Sequence, residues 1–148
     1  MIESLMKVII AKTEKERQDA FTVRNIVFVE EQKVPVELEL DEFDQVATHF
    51  VMYDGDHPVG AARLRSLGDI GKIERVCLLA PYRNRGLGKY LMKKIIQYAA
   101  DQGFSKVKLH AQTQVIPFYE KLGFSVTSAE FMDAGIPHRA MEKPLIKT

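Results

Sequence analysis

The chain has 148 residues, the size of one domain around one hydrophobic core. Hydrophobic residues make up 46% and charged residues 28%, which excludes a largely disordered chain, and a net charge of +1 gives no global reason to expect nucleic acid or membrane as a partner. One cysteine, Cys77, excludes an internal disulfide framework, and with no signal-peptide order and no apolar run near the about 20 residues of a membrane span, a soluble cytoplasmic protein is expected.

In chain order, Lys7–Ala11 (KVIIA) reads as a first strand. A helix free of Pro and Gly is expected from Glu14 to about Gln32, opened by Thr13 as N-cap, with Ala20, Val23 and Val27 at core spacing. The acidic segment Lys33–Asp44, which contains Pro35, reads as a loop or short helix. Strands follow at Ala47–Tyr53 and Val59–Leu64, joined by a turn carrying Asp54-Gly55, and after Gly68–Gly71 a further strand runs over Lys72–Leu79. A helix then starts near Leu87, carries the apolar stripe Leu87, Leu91, Ile95 and Tyr98, and ends near Gly103. Ser105–Ala111 alternates like a half-buried strand, and Val115–Leu122 reads as a short helix with Pro117 in its first turn. Phe124–Ala129 and Ala140–Leu145 supply closing strands. The order implies an α/β fold over residues 1–148, one layer of mixed sheet covered by helices.

Charge is unevenly spread. Glu30 to Asp44 holds seven acids against Lys33 alone, whereas Arg83 to Lys94 holds five bases and no acid. The basic run belongs to the most telling segment, Arg83-Asn84-Arg85-Gly86-Leu87-Gly88, between an expected strand and an expected helix. A helix's first turn offers unpaired N–H groups and partial positive charge to an anion. Two glycines let backbone approach a phosphate, and Arg83, Arg85 and Lys89 add charge. The combination reads as a pyrophosphate cradle. It is not a Walker A loop, and Leu91 stands where a dinucleotide fingerprint needs its third glycine, so the phosphates of ATP or NAD are not implied.

Arg83-x-x-Gly86-x-Gly88 resembles the Q/R-x-x-G-x-G/A signature with which GNAT N-acetyltransferases hold the pyrophosphate of acetyl-CoA. Pro81-Tyr82-Arg83 resembles that family's approach to the loop, and Phe118-Tyr119-Glu120-Lys121-Leu122-Gly123-Phe124 is similar to a downstream segment of the same family. The segment Val29–Pro35, followed by Asp41, Asp44 and His49, also resembles a bacterial subgroup of small GNAT proteins. The resemblance implies a GNAT fold, with a mostly antiparallel mixed sheet flanked by helices. Two positions depart from the pattern: Gln112 stands where many members have Asn, and Val115 where a small residue is common.

By the same resemblance, acetyl-CoA is the cosubstrate. Backbone of Val76, Cys77 and Leu78 pairs with its pantetheine arm, and the loop Arg83, Asn84, Arg85, Gly86, Leu87, Gly88 and Lys89 binds its phosphates, with Gln112 and Tyr119 as further contacts. Tyr119 is the candidate general acid for the leaving thiolate and Glu74 the candidate base, with His49 and His110 as alternatives. Cys77 reads as a buried strand thiol rather than an acyl carrier, and no spacing suggests a metal. The expected reaction is direct acetyl transfer to a primary amine of a small molecule or peptide. The acids of Glu37–Asp44 hint at a cationic acceptor. Alternatives are an amino-sugar-phosphate acetyltransferase using Arg24, Arg63 and Arg65, and a non-catalytic CoA-binding sensor or interaction domain. A homodimer is expected from the family alone.

Overall fold

The computed structural model of the chain describes residues 6–145. Strand β1 (Met6–Ile10) leads to helix α1 (Glu14–Arg24). Thr13 begins α1 with a capping box: its side chain accepts from Glu16 N–H at 3.1 Å while Glu16 accepts from Thr13 N–H at 3.1 Å. Such a cap stabilises a helix by about 0.5–2 kcal/mol. The expected helix to Gln32 does not stay α-helical. From Asn25 to Glu31 it widens into a π-helix, whose i→i+5 bonding is seen at Gln32 N–H to Val27 O, 3.1 Å. The acidic segment then forms two short turns, α2 (Val36–Glu39) and a 3₁₀ turn (Glu42–Gln45) capped by Asp41.

Strands β2 (Thr48–Asp54), β3 (His57–Leu67) and β4 (Ile70–Leu78) follow as a meander, then α3 (Leu87–Asp101), β5 (Lys106–Gln112) and α4 (Ile116–Glu120). The closing segments differ from expectation. Phe124–Ala129 pairs only over β6 (Ser125–Val126), and an unexpected hairpin joins β7 (Phe131–Asp133) to β8 (Ile136–Pro144). Its turn places Ala134 and Gly135 at φ 52° and 78°. A two-residue hairpin with both φ positive needs the conformation glycine adopts freely, and alanine at the first position hid the signal.

The sheet order is β1-β2-β3-β4-β5-β8-β6, with β7 also on β8. All pairs are antiparallel except β4 with β5. One face buries Ala20, Val23 and Val27 against Val51, Tyr53, Ala61 and Cys77. The other buries Leu87, Leu91, Met92, Ile95 and Ala99 of α3 against Phe50, Met52, Leu64, Ile73 and Leu109. Each fully buried large apolar side chain on α3 contributes about 1.5–3 kcal/mol to folding.

The feature that positions the site is a split in the sheet. β4 and β5 pair from Ile70↔Lys106 to Ile73↔Leu109, and there the ladder stops. Beyond it β4 stays with β3, while β5 stays with β8 to Gln112↔His138. The β3–β4 register slips between Ala61 and Arg63, where Arg75 sits at φ 59°. An extra residue bends and twists the strand that carries it, turning β4 away from β5.

Candidate functional site

The split opens a cleft of about 480 Å³, lined on one wall by Ile73–Val76 and on the other by Leu109–Gln112, and also by Tyr119 and His138. Past Ile73 the β4 edge facing the cleft has no strand partner, so its backbone groups can take an extended ligand as an added strand. Val76 lines this wall; Cys77, next along, is fully buried on the α1 face. Burial lifts the Cys77 thiol to about 12, which leaves it a packed thiol and not a nucleophile.

At the C-terminal end of β4 the chain turns through Arg83–Gly88 into α3. Asn84 and Gly86 lie at φ 62° and 77°, and Gly86 is the N-cap with no side-chain capping bond. The first-turn N–H groups of α3 therefore keep their capacity for an anion. A Cβ on Gly86 would meet nothing within 4 Å, so glycine is required there by conformation, and the space beside it is open. A Cβ on Gly88 would come to 3.4 Å from Phe118, a close approach between α3 and α4. Arg83 is engaged within the chain: Nε donates to Leu78 O at 2.9 Å and Nη2 pairs with Glu31 at 2.9 Å. Arg85 donates to Pro81 O at 3.2 Å and lies over the Tyr82 ring, while Asn84 and Lys89 are exposed. A cradle at this turn would rest on backbone N–H groups, Lys89 and Arg85 more than on Arg83.

Tyr119 is buried between Phe118 and Phe124, with ring centroids 5.1 and 5.8 Å away. Burial first, and the nearby Cys77 second, raise its phenol to about 12. Its hydroxyl makes no hydrogen bond among the described residues, and the side chain lines the cleft. Gln112 also lines the cleft, but its amide donates to Gln32 Oε1 at 3.1 Å and accepts from Gln114 at 2.8 Å.

Glu74, expected as the base, is the anionic centre of an ion cluster. It accepts from Arg63 at 2.9 Å and Arg65 at 2.7 Å and pairs with Lys72 at 3.2 Å. Burial opposes its ionisation, but hydrogen bonding from Arg65 and the charges of Arg63 and Lys72 prevail, holding the carboxyl at about 2. A carboxylate so stabilised has little pull on a proton. His49, the alternative, is buried: Nε2 lies 2.8 Å from Asp44 O, and Nδ1 is sealed without a partner among the described residues. Desolvation lowers its pKa, and it is not among the residues that line the cleft. His110 does line the cleft, edge-on to Phe131 at 5.0 Å, and burial with Lys72 and Lys108 lowers its pKa.

The acidic segment does not offer its charge to an acceptor as expected. Glu39 and Asp44 bind the fully buried Arg24, both at 2.7 Å, and Asp41 binds Arg63. Of the acids from Glu37 to Asp44, only Glu37 and Glu42 stay exposed. The same pairing engages the basic residues named for an acceptor pocket. Arg24 is fully buried on Glu39 and Asp44, and Arg63 and Arg65 line the cleft while bonding Glu74, with Arg65 also 3.9 Å over the Phe43 ring.

Arg75 and His138 line the cleft without having been expected from the sequence, and Phe131 stacks on His138. Arg75 reaches the carbonyls of Leu38 and Glu39. No sequence signal marks its positive φ, and His138 depends on a hairpin that was not expected. Among the described residues no group of three His, Cys, Asp or Glu side chains is gathered as a metal site would be, and no helix is long and apolar enough to cross a membrane.

A family model described as an acetyltransferase (GNAT) domain matches residues 17–145. The chain is 51% identical over 139 residues to the uncharacterized N-acetyltransferase YjcF of Bacillus subtilis, covering 93% of this chain and 99% of that protein. Its fold superposes on the crystal structure of an N-acetyltransferase from Lactobacillus plantarum with a TM-score of 0.88 at 30% identity, covering 95% of this chain and 99% of that one. An acyl-CoA N-acyltransferase from Pseudomonas aeruginosa superposes with a TM-score of 0.86 at 27% identity, covering 93% and 99%.

Proposed function

Because the chain belongs to the GNAT acetyltransferase family, we propose that it transfers an acetyl group from acetyl-CoA directly to a primary amine of a small molecule or peptide. The observation that carries this reading is the free edge of β4. Past Ile73 it lines the cleft that Tyr119 also lines, and the chain leads on from β4 into the uncapped first turn of α3, the order that an extended thiol arm ending in phosphates needs. The acyl-CoA N-acyltransferase fold of the Pseudomonas relative supports the same donor class.

In this reading the first-turn N–H groups of α3, with Lys89 and Arg85, hold the pyrophosphate. Backbone groups of Val76, Cys77 and Leu78 align the pantetheine, and an N–H of that edge polarises the thioester carbonyl. Tyr119 gives its proton to the departing sulfur. Glu74 keeps Arg63, Arg65 and Lys72 in place and leaves proton abstraction to another group. The chain acts as one cytoplasmic domain over residues 1–148, a homodimer by family expectation, which light scattering checks.

The test is thermal. Acetyl-CoA at one hundred times its dissociation constant should stabilise the fold by about 2.7 kcal/mol. With a panel of primary amines, the thiol of CoA should then appear stoichiometrically with N-acetylated product. Millimolar acetyl-CoA that leaves the melting temperature unmoved rejects the donor; binding without product from any amine favours a CoA-binding sensor.

A further inference from the structure

We infer that His138 is the general base that receives the acceptor amine's proton, an assignment that rests on the acetyl-transfer reading above. With Glu74 held as an anion by three cations and His49 sealed from the cleft, His110 and His138 are the imidazoles that line it. They flank one aromatic ring: His110 meets Phe131 edge-on at 5.0 Å, and His138 stacks on it with centroids 6.1 Å apart and planes 20° from parallel. Only His138 has its tautomer set. Its Nδ1 lies 2.7 Å from the carbonyl oxygen of Ile136, which can accept but not donate. Nδ1 therefore carries the hydrogen, and in the neutral ring the basic lone pair is on Nε2.

Nε2 is free to use it. Among the described residues it has no hydrogen-bond partner, and the sealed, unpaired side-chain nitrogen there is His49 Nδ1, so Nε2 is not shut away. The turn that supplies the Ile136 carbonyl is the tight Ala134-Gly135 hairpin, and the ring is also held by its stack on Phe131. His138 pairs across the ladder with Gln112 at the open end of β5, on the wall facing the free β4 edge. A base fixed in tautomer and plane, in the cleft that Tyr119 also lines, is placed to take a proton from an amine bound there.

The protons and electrons balance as follows. The amine arrives as an ammonium ion, and Nε2 takes one proton, which the imidazolium passes to solvent. The freed nitrogen lone pair forms the C–N bond with the acetyl carbon, and the C–S bond breaks with its electron pair going to sulfur. Tyr119 protonates the sulfur, and its phenolate regains a proton from the nitrogen as the amide forms. One ammonium and one thioester thus yield one amide, one thiol and one proton.

His138→Asn tests the assignment, because asparagine keeps a donor near Nδ1 for the Ile136 carbonyl and deletes Nε2. With acetyl-CoA and a panel of primary amines including spermidine, benzylamine and a lysine peptide, its kcat should fall by a factor of about 10²–10⁴. The acetyl-CoA-induced melting shift should persist, showing a folded, donor-binding protein, and added imidazole should restore part of the rate. Unchanged kcat in the variant overturns the base role while leaving transfer intact. A wild type that binds acetyl-CoA yet acetylates no amine overturns the transfer reading and the base role with it. Independently of turnover, long-range ¹H–¹⁵N spectra of the wild-type protein should show His138 protonated on Nδ1; hydrogen on Nε2 in the neutral ring overturns the proposal.

Discussion

Burial governs what Tyr119 can do as an acid. In water a phenol near 10 would give its proton to a thiolate whose thiol is near 8.5 only against a small gradient. In the fold the phenol rises to about 12, which taken alone would make the transfer harder. The thiol of Cys77, close enough to perturb Tyr119, is itself lifted to about 12 by the same burial. A leaving sulfur desolvated to a similar degree would rise with the phenol, and the transfer would then stay near balance. Tyr119→Phe should therefore lower kcat by a factor of about 10²–10⁴ with acetyl-CoA binding kept. The ring contacts with Phe118 and Phe124 survive, so the melting temperature should hold. Normal turnover at saturation with weakened donor binding would assign the hydroxyl to binding alone. The place of Tyr119 in the cleft was legible because its neighbours in the chain form a contiguous motif. The cations around Glu74 were not, because Arg63 and Arg65 lie on the neighbouring strand, and a strand pairing cannot be seen along one strand's sequence.

At the scale of elements, the loop into α3 was legible and the bulge in β4 was not. Glycines, bases and an apolar stripe announce a helix N-terminus whatever surrounds it. The bulge leaves no such mark: Arg75 takes a positive φ that costs of order 1 kcal/mol, and what holds it is the reach of its guanidinium to carbonyls of α2, far away in sequence. The π-helical turn that ends α1 is similarly silent, since it keeps Val27 in the core as an α-helix would. The legible element gives the sharper prediction. Gly86 sits at φ 77° with open space around it, so Gly86→Glu combines backbone strain with a carboxylate where phosphate should lie. That variant should fold, because its added Cβ strikes nothing, yet show no melting shift with acetyl-CoA. A retained shift, measured by differential scanning fluorimetry, would mean that phosphates bind elsewhere.

Across the whole molecule, the order of elements followed from periodicity, but the charge network that fastens them did not. Arg24 from α1, Glu39, Asp41 and Asp44 from the acidic segment, and Arg63 and Glu74 from the sheet are bonded into one partly buried array. The array ties the acidic segment, whose Glu39 and Asp41 form part of the cleft wall, to the sheet, so stability and cleft shape share the same ionisations. Glu74 is depressed from 4.5 to about 2, and Asp41 and Asp44 are depressed from 3.8. Folded-state values below the unfolded ones mean that stabilisation is fully present above about pH 5 and is lost as pH falls through the folded values. The urea midpoint should therefore be level near neutrality in this respect and drop steeply from about pH 4.5 toward pH 2. Asp44 is the sharpest single probe, since it bonds Arg24 at 2.7 Å and Arg63 at 2.9 Å with its side chain 9% exposed. Asp44→Asn leaves two buried guanidinium groups short of a counter-charge and should cost about 3–5 kcal/mol at pH 7. The variant should also flatten the acid limb, because one of the depressed carboxylates is gone. If urea titrations at pH 7 and pH 3 show the variant as stable as the parent, the array is solvated in solution and does not fasten the wall.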